Sequence, residues 1–123
     1  MTKDDLKERT SSFALRVIRL VESLPNKKSS AVLGNQLLRS ATGMAANYRA
    51  ALRARTKPEF ISKLRIVEEE ADESFFWLEL MVKSELLPEA KLSALAKEAN
   101  ELTAIFTAAG KTARSGITAK PKP

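Results

Sequence analysis

Four glutamates have a spacing that could bind a metal ion. Glu70 and Glu73 are three residues apart, and so are Glu98 and Glu101, so the members of each pair share one face of a helix. Carboxylates placed in this way could hold Mg²⁺, as they do in all-α nucleotide pyrophosphatases. The same spacing is common on any solvated helix, and Glu101 points away from the apolar side of its own helix. A magnesium-dependent nucleotide pyrophosphatase is therefore one hypothesis, and we rank it below two non-enzymatic functions that are described at the end of this section.

The chain contains no histidine and no cysteine. Histidine is the usual general base and a common metal ligand, and cysteine supplies thiolate nucleophiles, disulfides and zinc ligands. The di-iron chemistry of ferritin-like bundles needs a Glu-x-x-His motif, which this sequence cannot provide. These absences favour a protein that is not an enzyme and that carries no cofactor or metal.

Composition indicates one domain that lies outside the membrane. The 123 residues, 44% of them hydrophobic, suit a single apolar core. No apolar run approaches the roughly 20 residues that span a bilayer, and the acidic start MTKDDLKE does not resemble a signal peptide. We therefore expect a cytoplasmic protein. Its net charge of +6 favours polyanionic partners without requiring them.

Apolar residues recur at steps of three and four in four segments, which predicts four helices. Pro25 and Asn26 end the first helix, and the serines of NKKSS are expected to cap the second. Thr56 and Glu59 have capping-box spacing, with Pro58 inside the first turn. The predicted helices cover about residues 4–24, 30–55, 57–84 and 88–110.

Four such helices with short connections pack most simply as an antiparallel up-and-down four-helix bundle, which makes the fold all-α. After Gly110 the sequence thins into the basic segment KTARSGITAKPKP. We therefore assign residues 1–114 to the bundle and residues 115–123 to a flexible basic tail.

The second and third helices each carry more apolar or small side chains than one bundle core requires. Gly43, Ala46 and Ala50 lie beside the core face of the second helix, where small residues allow close helix approach. Trp77 and Leu80 lie roughly opposite the apolar stripe of the third helix, with Phe76 off to one side. Large apolar side chains left exposed usually mark an interaction surface. Self-association is the favoured explanation, and the alternative is that a tilted helix buries Trp77 inside the monomer.

Charge is divided between these two helices. The second contains four arginines and no acidic residue, whereas the third contains seven acidic and four basic residues. We expect the carboxylates of Glu69, Glu70, Asp72 and Glu73 to pair with the arginines, within a chain or across a subunit boundary. Glu68 lies on the apolar side of its helix and needs a partner, which could be an arginine, the polar edge of the second helix or a neighbouring chain.

Two ordered segments resemble a known family. QLLRSATGMAANYRAA is followed by FISKLRIVEEEADESFFWLEL after a short gap, and LP closes the first helix. Over about residues 10–85 this pattern resembles the four-helix-bundle proteins encoded in bacterial 23S rRNA intervening sequences. The resemblance implies a closed homo-oligomer, a five-fold barrel in the known family architecture, with no established enzymatic activity. It also places Arg39, Ser40 and Asn47 where helices or chains meet.

The same fold resembles the accessory variability protein of diversity-generating retroelements, a basic barrel that associates with a reverse transcriptase and its nucleic acid. This chain has the Arg-Ser-Ala and Glu-rich pattern of the intervening-sequence branch instead. We therefore do not expect this chain to share the retroelement function. The only expectation that we keep from this relative is a ring with a basic surface.

Two functions rank above the enzyme. The first is a homo-oligomeric, pentameric scaffold that binds RNA or a ribonucleoprotein through rings of basic side chains, since a ring multiplies weak phosphate contacts. The second is a protein–protein adaptor whose basic surface is only solvated. The predicted nucleic-acid-binding residues, besides the tail lysines, are Lys27, Lys28, Arg49, Arg53, Arg55 and Lys57. The predicted oligomer interface comprises Arg39, Ser40, Gly43, Ala46, Asn47, Ala50, Ile66, Glu69, Glu70, Glu73, Trp77 and Leu80.

Overall fold

The computed structural model describes residues 1–118 and the side chains of residues 1–116. Residues 1–118 form four α-helices and contain no strand, as predicted. Each helix packs against its neighbours in sequence, and α1 also contacts α4, although less extensively than it contacts α2. This packing is that of an up-and-down bundle. The helices are α1 (Lys3–Glu22), α2 (Lys28–Leu52), α3 (Lys57–Lys83) and α4 (Glu89–Thr118).

The C-terminal helix is longer than the sequence suggested. α4 continues to Thr118, past Gly110 and past the boundary at residue 114 that we assigned to the bundle. The remaining part of the predicted tail, including its lysines, lies outside the described residues.

Side-chain caps start two of the helices. The Thr2 hydroxyl accepts from the Asp5 amide at 3.0 Å, and the Asp5 carboxylate accepts from the Thr2 amide at 2.9 Å, which forms a complete capping box. These hydrogen bonds lower the pKa of Asp5. The predicted cap of α3 is also present, because the Thr56 hydroxyl accepts from the Glu59 amide at 3.2 Å.

The second helix lacks the serine cap that we expected. Its N-cap residue is Lys27, which makes no side-chain capping hydrogen bond. Ser29 and Ser30 fall inside the first turn because the helix begins at Lys28, two residues earlier than predicted. The prediction of a serine cap was therefore wrong.

A left-handed residue ends α3. Glu85 has φ 55°, the Leu86 amide donates to the Met81 carbonyl at 3.1 Å, and the Glu85 amide donates to the Val82 carbonyl at 3.1 Å. This is the Schellman arrangement, in which a hydrophobic residue beyond the cap packs back on the last turn. Leu86 and Met81 are both buried in the core, so the motif fixes the turn toward α4.

Apolar residues that recur at steps of three and four in each helix form the buried core, as predicted. Tyr48 of α2 packs on Phe106 of α4, with ring centroids 5.2 Å apart, and burial raises the pKa of Tyr48. In α3, Ser74 and Met81 occupy inner positions, while Phe75 is only partly buried. α3 is therefore rotated about its own axis relative to the orientation that its apolar stripe predicted, so that Ser74 faces α2.

No helix among the described residues is both long enough and apolar enough to cross a membrane.

Candidate interaction surfaces

The α2–α3 contact is built on small and polar residues. Ser40 is fully buried, and its hydroxyl oxygen lies 2.9 Å from that of Ser74 on α3. The Ser74 hydroxyl also bonds to the Glu70 carbonyl at 2.9 Å, and the Ser40 hydroxyl bonds to the Leu37 carbonyl at 3.1 Å. Ser40 therefore lies inside the protomer, and its assignment to an intersubunit surface is corrected. Its neighbour Ser74, which the sequence analysis missed, completes the contact.

Gly43 allows α3 to approach α2 closely. A Cβ atom on Gly43 would lie 2.5 Å from Glu70 Oε2, so the carboxylate occupies the space that a larger residue would fill. Asn47 also belongs to this contact, because its side-chain amide donates to the Gly43 carbonyl at 2.8 Å. The close approach that the sequence predicted at Gly43 thus occurs between two helices of one chain.

Burial raises the pKa of Glu70, and the nearby charges of Glu73 and Glu69 raise it further, while Arg39 opposes the shift. Arg39 is exposed, and it donates to the Gln36 side chain at 2.5 Å. Among the described residues, no ion pair joins the arginines of α2 to the carboxylates of α3. The expected pairing within the chain is therefore absent, and pairing between chains remains a prediction.

The outer face of α3 carries two adjacent aromatic residues with different environments. Trp77 is half-buried against the core, and its Nε1 is buried with no hydrogen-bond acceptor among the described residues. This corrects the expectation that Trp77 is exposed in a monomer. Phe76 is 49% exposed and lies edge-on to Trp77, with ring centroids 5.0 Å apart. Phe76 is thus the exposed aromatic side chain, although the sequence analysis did not count it in the interface.

The other predicted interface residues lie on or near the same outer surface of α2 and α3. Glu69 and Ala46 are exposed, whereas the remaining members are partly buried. These partly buried members are Ala50, Ile66, Glu73 and Leu80.

The predicted nucleic-acid-binding residues do not form one patch. Lys27 and Lys28 lie where α2 begins, and Arg49, Arg53, Arg55 and Lys57 lie where α2 ends and α3 begins. Lys28 and Arg49, the nearest members of the two groups along α2, are about 32 Å apart at the usual helical rise. We call the second group, Arg49, Arg53, Arg55 and Lys57, the basic end.

Residues of α4 and α1 lie close to the basic end. Lys57 reaches the last turns of α4, since a Cβ atom on Gly116 would lie 3.1 Å from Lys57 Nζ. Lys3 of α1 lies over the Phe60 ring of α3, with its Nζ 5.5 Å from the ring centroid. The closest acidic residue along the chain, Glu59, uses its carboxylate to accept from the Arg55 amide at 3.3 Å. The side chains of Arg49, Arg53 and Arg55 are exposed.

The two candidate metal-binding pairs lie on different faces of the bundle. Glu70 faces Gly43 of α2, whereas Glu98 binds Arg9 of α1 with Nε–Oε2 2.9 Å and Nη2–Oε1 2.6 Å. Glu101 adds a contact to the same guanidinium at 3.2 Å. This pairing lowers the pKa of Glu98 and raises that of Arg9. No group of three or more possible metal ligands occurs among the described residues, so the four glutamates do not converge on one ion.

Glu68 finds its partner on α4. The Thr107 hydroxyl donates to Glu68 Oε2 at 2.9 Å, at the edge of an open cleft of about 500 Å³ between the two helices. Thr107 is a partner that the sequence analysis did not name. Arg114 of α4 lines the same cleft, so an arginine as a partner of Glu68 stays a prediction. The cleft is lined by Arg65, Glu68, Glu69, Asp72, Thr103, Thr107 and Arg114.

Comparisons with known proteins agree with this architecture. A family model described as "23S rRNA-intervening sequence protein" matches residues 3–108. A crystal structure of a protein of unknown function from the S23 ribosomal protein family of Bacteroides thetaiotaomicron VPI-5482 superposes with a TM-score of 0.82. The two chains are 31% identical, and the match covers 90% of this chain and 99% of the other. No curated protein matches the sequence. The chain belongs to the 23S rRNA-intervening sequence protein family.

Proposed function

We propose that this protein is a non-enzymatic, self-associating four-helix bundle that binds structured RNA through its basic end. The observation that carries the proposal is the distribution of charge. The segment between Glu22 and Glu59 contains seven basic residues and no acidic residue. Three of its arginines, Arg49, Arg53 and Arg55, are exposed within two turns of one another at one end of the bundle.

RNA phosphates suit this end because lysine and arginine gain affinity by releasing the counterions of the nucleic acid. A single basic end offers only a few such contacts. In the closed, five-fold barrel that the sequence resemblance implies, each subunit would contribute one basic end, and the sum of weak contacts would supply the affinity. The aromatic side chains nearest to the basic end along the chain, Tyr48 and Phe60, are buried and partly buried, which favours contacts to the RNA backbone over base stacking.

The outer face of α3 supports self-association. Phe76 is half exposed beside the partly buried Trp77 indole, and aromatic side chains are enriched at the centres of protein interfaces. Glu69 and Asp72 are exposed on the same helix. A second copy that presents basic side chains to these carboxylates would cover the face, in a head-to-tail contact that can close into a ring.

The test is a titration of the full-length protein with a structured RNA at about 50 mM and about 200 mM salt. The variant Arg49→Gln/Arg53→Gln/Arg55→Gln removes the basic end, and Arg16→Gln/Arg19→Gln/Lys91→Gln removes the same charge from the α1–α4 side. We expect binding that weakens with salt, and a loss of affinity in the first variant only. Absent or salt-independent binding, or an equal loss in both variants, contradicts the proposal.

The second candidate is a protein–protein adaptor, which the exposed Phe76 favours because its aromatic face could meet a different protein instead of a second copy. In that case the purified bundle is a monomer and does not bind RNA. A defined complex that survives nuclease treatment and is lost in Phe76→Ser supports this candidate. The mass of the native particle, measured with its nucleic-acid absorbance, separates the two functions.

A further inference from the structure

The contact between α1 and α4 is held by an ion pair at one level and is open at another. Among the helix pairs that pack together in the bundle, α1 and α4 have the least extensive contact. Arg9 of α1 spans it to bind Glu98 of α4, with Nε–Oε2 2.9 Å and Nη2–Oε1 2.6 Å. About two helical turns further along α1, the two helices leave an open groove of about 360 Å³. The bundle therefore presents an unfilled groove on this side.

This groove, which we call the α1–α4 groove, combines apolar and basic side chains. Its lining residues come from one stretch of α1 and one stretch of α4, and they are Arg16, Arg19, Leu20, Lys91, Ala94 and Leu95. The two leucines are buried, whereas the three basic side chains are exposed. The two leucines and the alanine therefore form an apolar floor, and the basic side chains form a rim around it. None of the described residues that line the groove is acidic.

The charges of this rim are not paired within the described part of the chain. There, the side chains of Arg16, Arg19 and Lys91 make no hydrogen bond and no ion pair. Glu98 is within electrostatic reach of Arg16, which helps to lower the pKa of Glu98, but the main partner of Glu98 is Arg9. Three unpaired cations around an apolar floor match a ligand that is both apolar and negatively charged.

We propose that the α1–α4 groove binds an acidic amphipathic helix of another protein. A helix that lies in a groove between two helices inserts apolar side chains at positions i, i+3 or i+4, and i+7, and here these side chains pack on the floor. Glutamates or aspartates beside these positions pair with the rim. The inference goes beyond the proposed RNA-binding function, because the groove includes neither the basic end nor Phe76.

The chemistry of the groove favours a free acidic helix over other occupants. RNA would meet the rim with its phosphates but would leave the apolar floor uncovered, and no aromatic side chain lines the groove for base stacking. The last residues of this chain, AKPKP, carry charge of the same sign as the rim. α3 of a second copy has exposed carboxylates, but it is packed between α2 and α4, so it cannot enter the groove as a free helix can.

A synthetic acidic helix tests the groove. The probe is a fluorescently labelled peptide of about 20 residues, long enough to form a helix, with leucines at i, i+3 and i+7 spacing and glutamates beside them. Fluorescence anisotropy with the full-length protein measures its affinity, and amide NMR of the ¹⁵N-labelled chain locates the contact. We expect saturable binding that weakens as salt is raised from about 50 mM to about 200 mM, with shifts centred on residues 16–20 and 91–95.

Two control peptides test whether both the charge and the helical pattern of the probe are needed. One has glutamine in place of every glutamate, and the other has the same composition in scrambled order. Each should bind about tenfold more weakly than the acidic amphipathic peptide, because the first cannot pair with the rim and the second cannot present one apolar face to the floor.

A variant of the rim tests the charge contacts. Arg16→Gln/Arg19→Gln/Lys91→Gln should weaken binding of the acidic peptide about tenfold, since several exposed ion pairs are lost together. The matched control removes the charge of three exposed lysines that do not line the groove, as Lys7→Gln/Lys83→Gln/Lys111→Gln. This control should leave the affinity unchanged.

A variant of the floor tests the apolar contacts. Ala94→Gln places a larger side chain in the groove and should weaken binding severalfold, while glutamine preserves the helix. Ser93→Gln is the matched control, because Ser93 is the preceding residue of α4, is also exposed and does not line the groove.

Several results would overturn the proposal. They are equal affinity for the scrambled peptide, shifts located away from the groove, and an equal loss of affinity in a variant and its control. A lower native mass of the rim variant would make the groove a contact between copies of this chain, and displacement of the peptide by structured RNA would make it part of a nucleic-acid site. Loss of RNA binding in the triple arginine variant of the basic end, with unchanged peptide affinity, would leave the groove standing, so the two proposals fail separately.

Discussion

The side-chain oxygens of Ser40 and Ser74 lie 2.9 Å apart in the interior between α2 and α3. Each hydroxyl also contacts a carbonyl of its own helix, so neither is left unpaired if the other is removed. We expect Ser40→Ala to lower the free energy of unfolding by about 1 kcal/mol and to leave the native mass unchanged. Urea denaturation and sedimentation measure the two quantities. A change in native mass without a loss of stability would return Ser40 to a subunit interface.

Ser40 also shows why the sequence predicts the helices better than it predicts their surfaces. Helical spacing and the Thr56 cap place most element boundaries within a few residues, because both signals are local. The exception is the end of α4, which lies at Thr118 and not near Gly110. The rotation of each helix about its axis depends on all its neighbours, and one residue corresponds to 100° of rotation. Ser40 therefore lies in the α2–α3 contact and not at the predicted subunit interface, and Trp77 is partly buried against the core and not fully exposed.

Contacts between distant segments were missed for a different reason. Arg9 and Glu98 are 89 residues apart in sequence, and no local pattern links them. The same holds for Glu68 and Thr107. Only the assembled bundle shows that these carboxylates serve helix–helix contacts.

The Arg9–Glu98 pair should stabilise the bundle at neutral pH and lose its effect in acid. The pKa of Glu98 is lowered, mainly by the Arg9 hydrogen bonds. Stability from a depressed carboxyl pKa is present above the ordinary value of 4.5 and is lost as the pH falls through the folded-state value. We expect Arg9→Gln to cost about 1 kcal/mol at neutral pH and little well below that value.

Denaturant titrations of the wild type and Arg9→Gln across this pH range measure the difference. Arg19→Gln, which removes an exposed arginine from the same helix, is the control. A stability loss in Arg9→Gln that stays constant down to the acid limit would show that lost packing, and not the ion pair, is responsible.

Glu85→Gly should stabilise the protein. Glu85 adopts φ 55°, a left-handed conformation that costs a residue with a Cβ about 1 kcal/mol. Glycine adopts it freely, and the Leu86-to-Met81 hydrogen bond is retained. We therefore expect the free energy of unfolding to rise by up to about 1 kcal/mol, as measured by thermal or urea denaturation. Ser84→Gly, at a residue with ordinary right-handed geometry, should not stabilise, and an equal gain there would refute this explanation.

Glu70 provides a pH-dependent test of the α2–α3 contact. Burial and neighbouring carboxylates raise the pKa of Glu70 in the folded protein. The contribution of Glu70 to folding stability is therefore most favourable below its pKa in the unfolded chain, and it is lost as the pH rises through its pKa in the folded protein. Glu70→Gln should therefore stabilise the isolated protomer slightly at neutral pH and have no such effect in acid. If an arginine of a second copy pairs with Glu70, the same substitution should instead weaken assembly. Denaturation of dilute protein and sedimentation of concentrated protein distinguish these results.

Phe76 is a sharper probe of self-association than Trp77. Trp77 packs against the protomer core, so Trp77→Ala should destabilise the fold as well as any assembly. Phe76 is 49% exposed, and replacing it by serine should leave the unfolding free energy within about 0.5 kcal/mol of the wild type. We expect Phe76→Ser to shift the assembly toward monomer at micromolar concentration. Val32→Ser, at a 60% exposed residue of α2, controls for the loss of an exposed apolar side chain. An unchanged native mass in Phe76→Ser would exclude this aromatic face as the subunit contact.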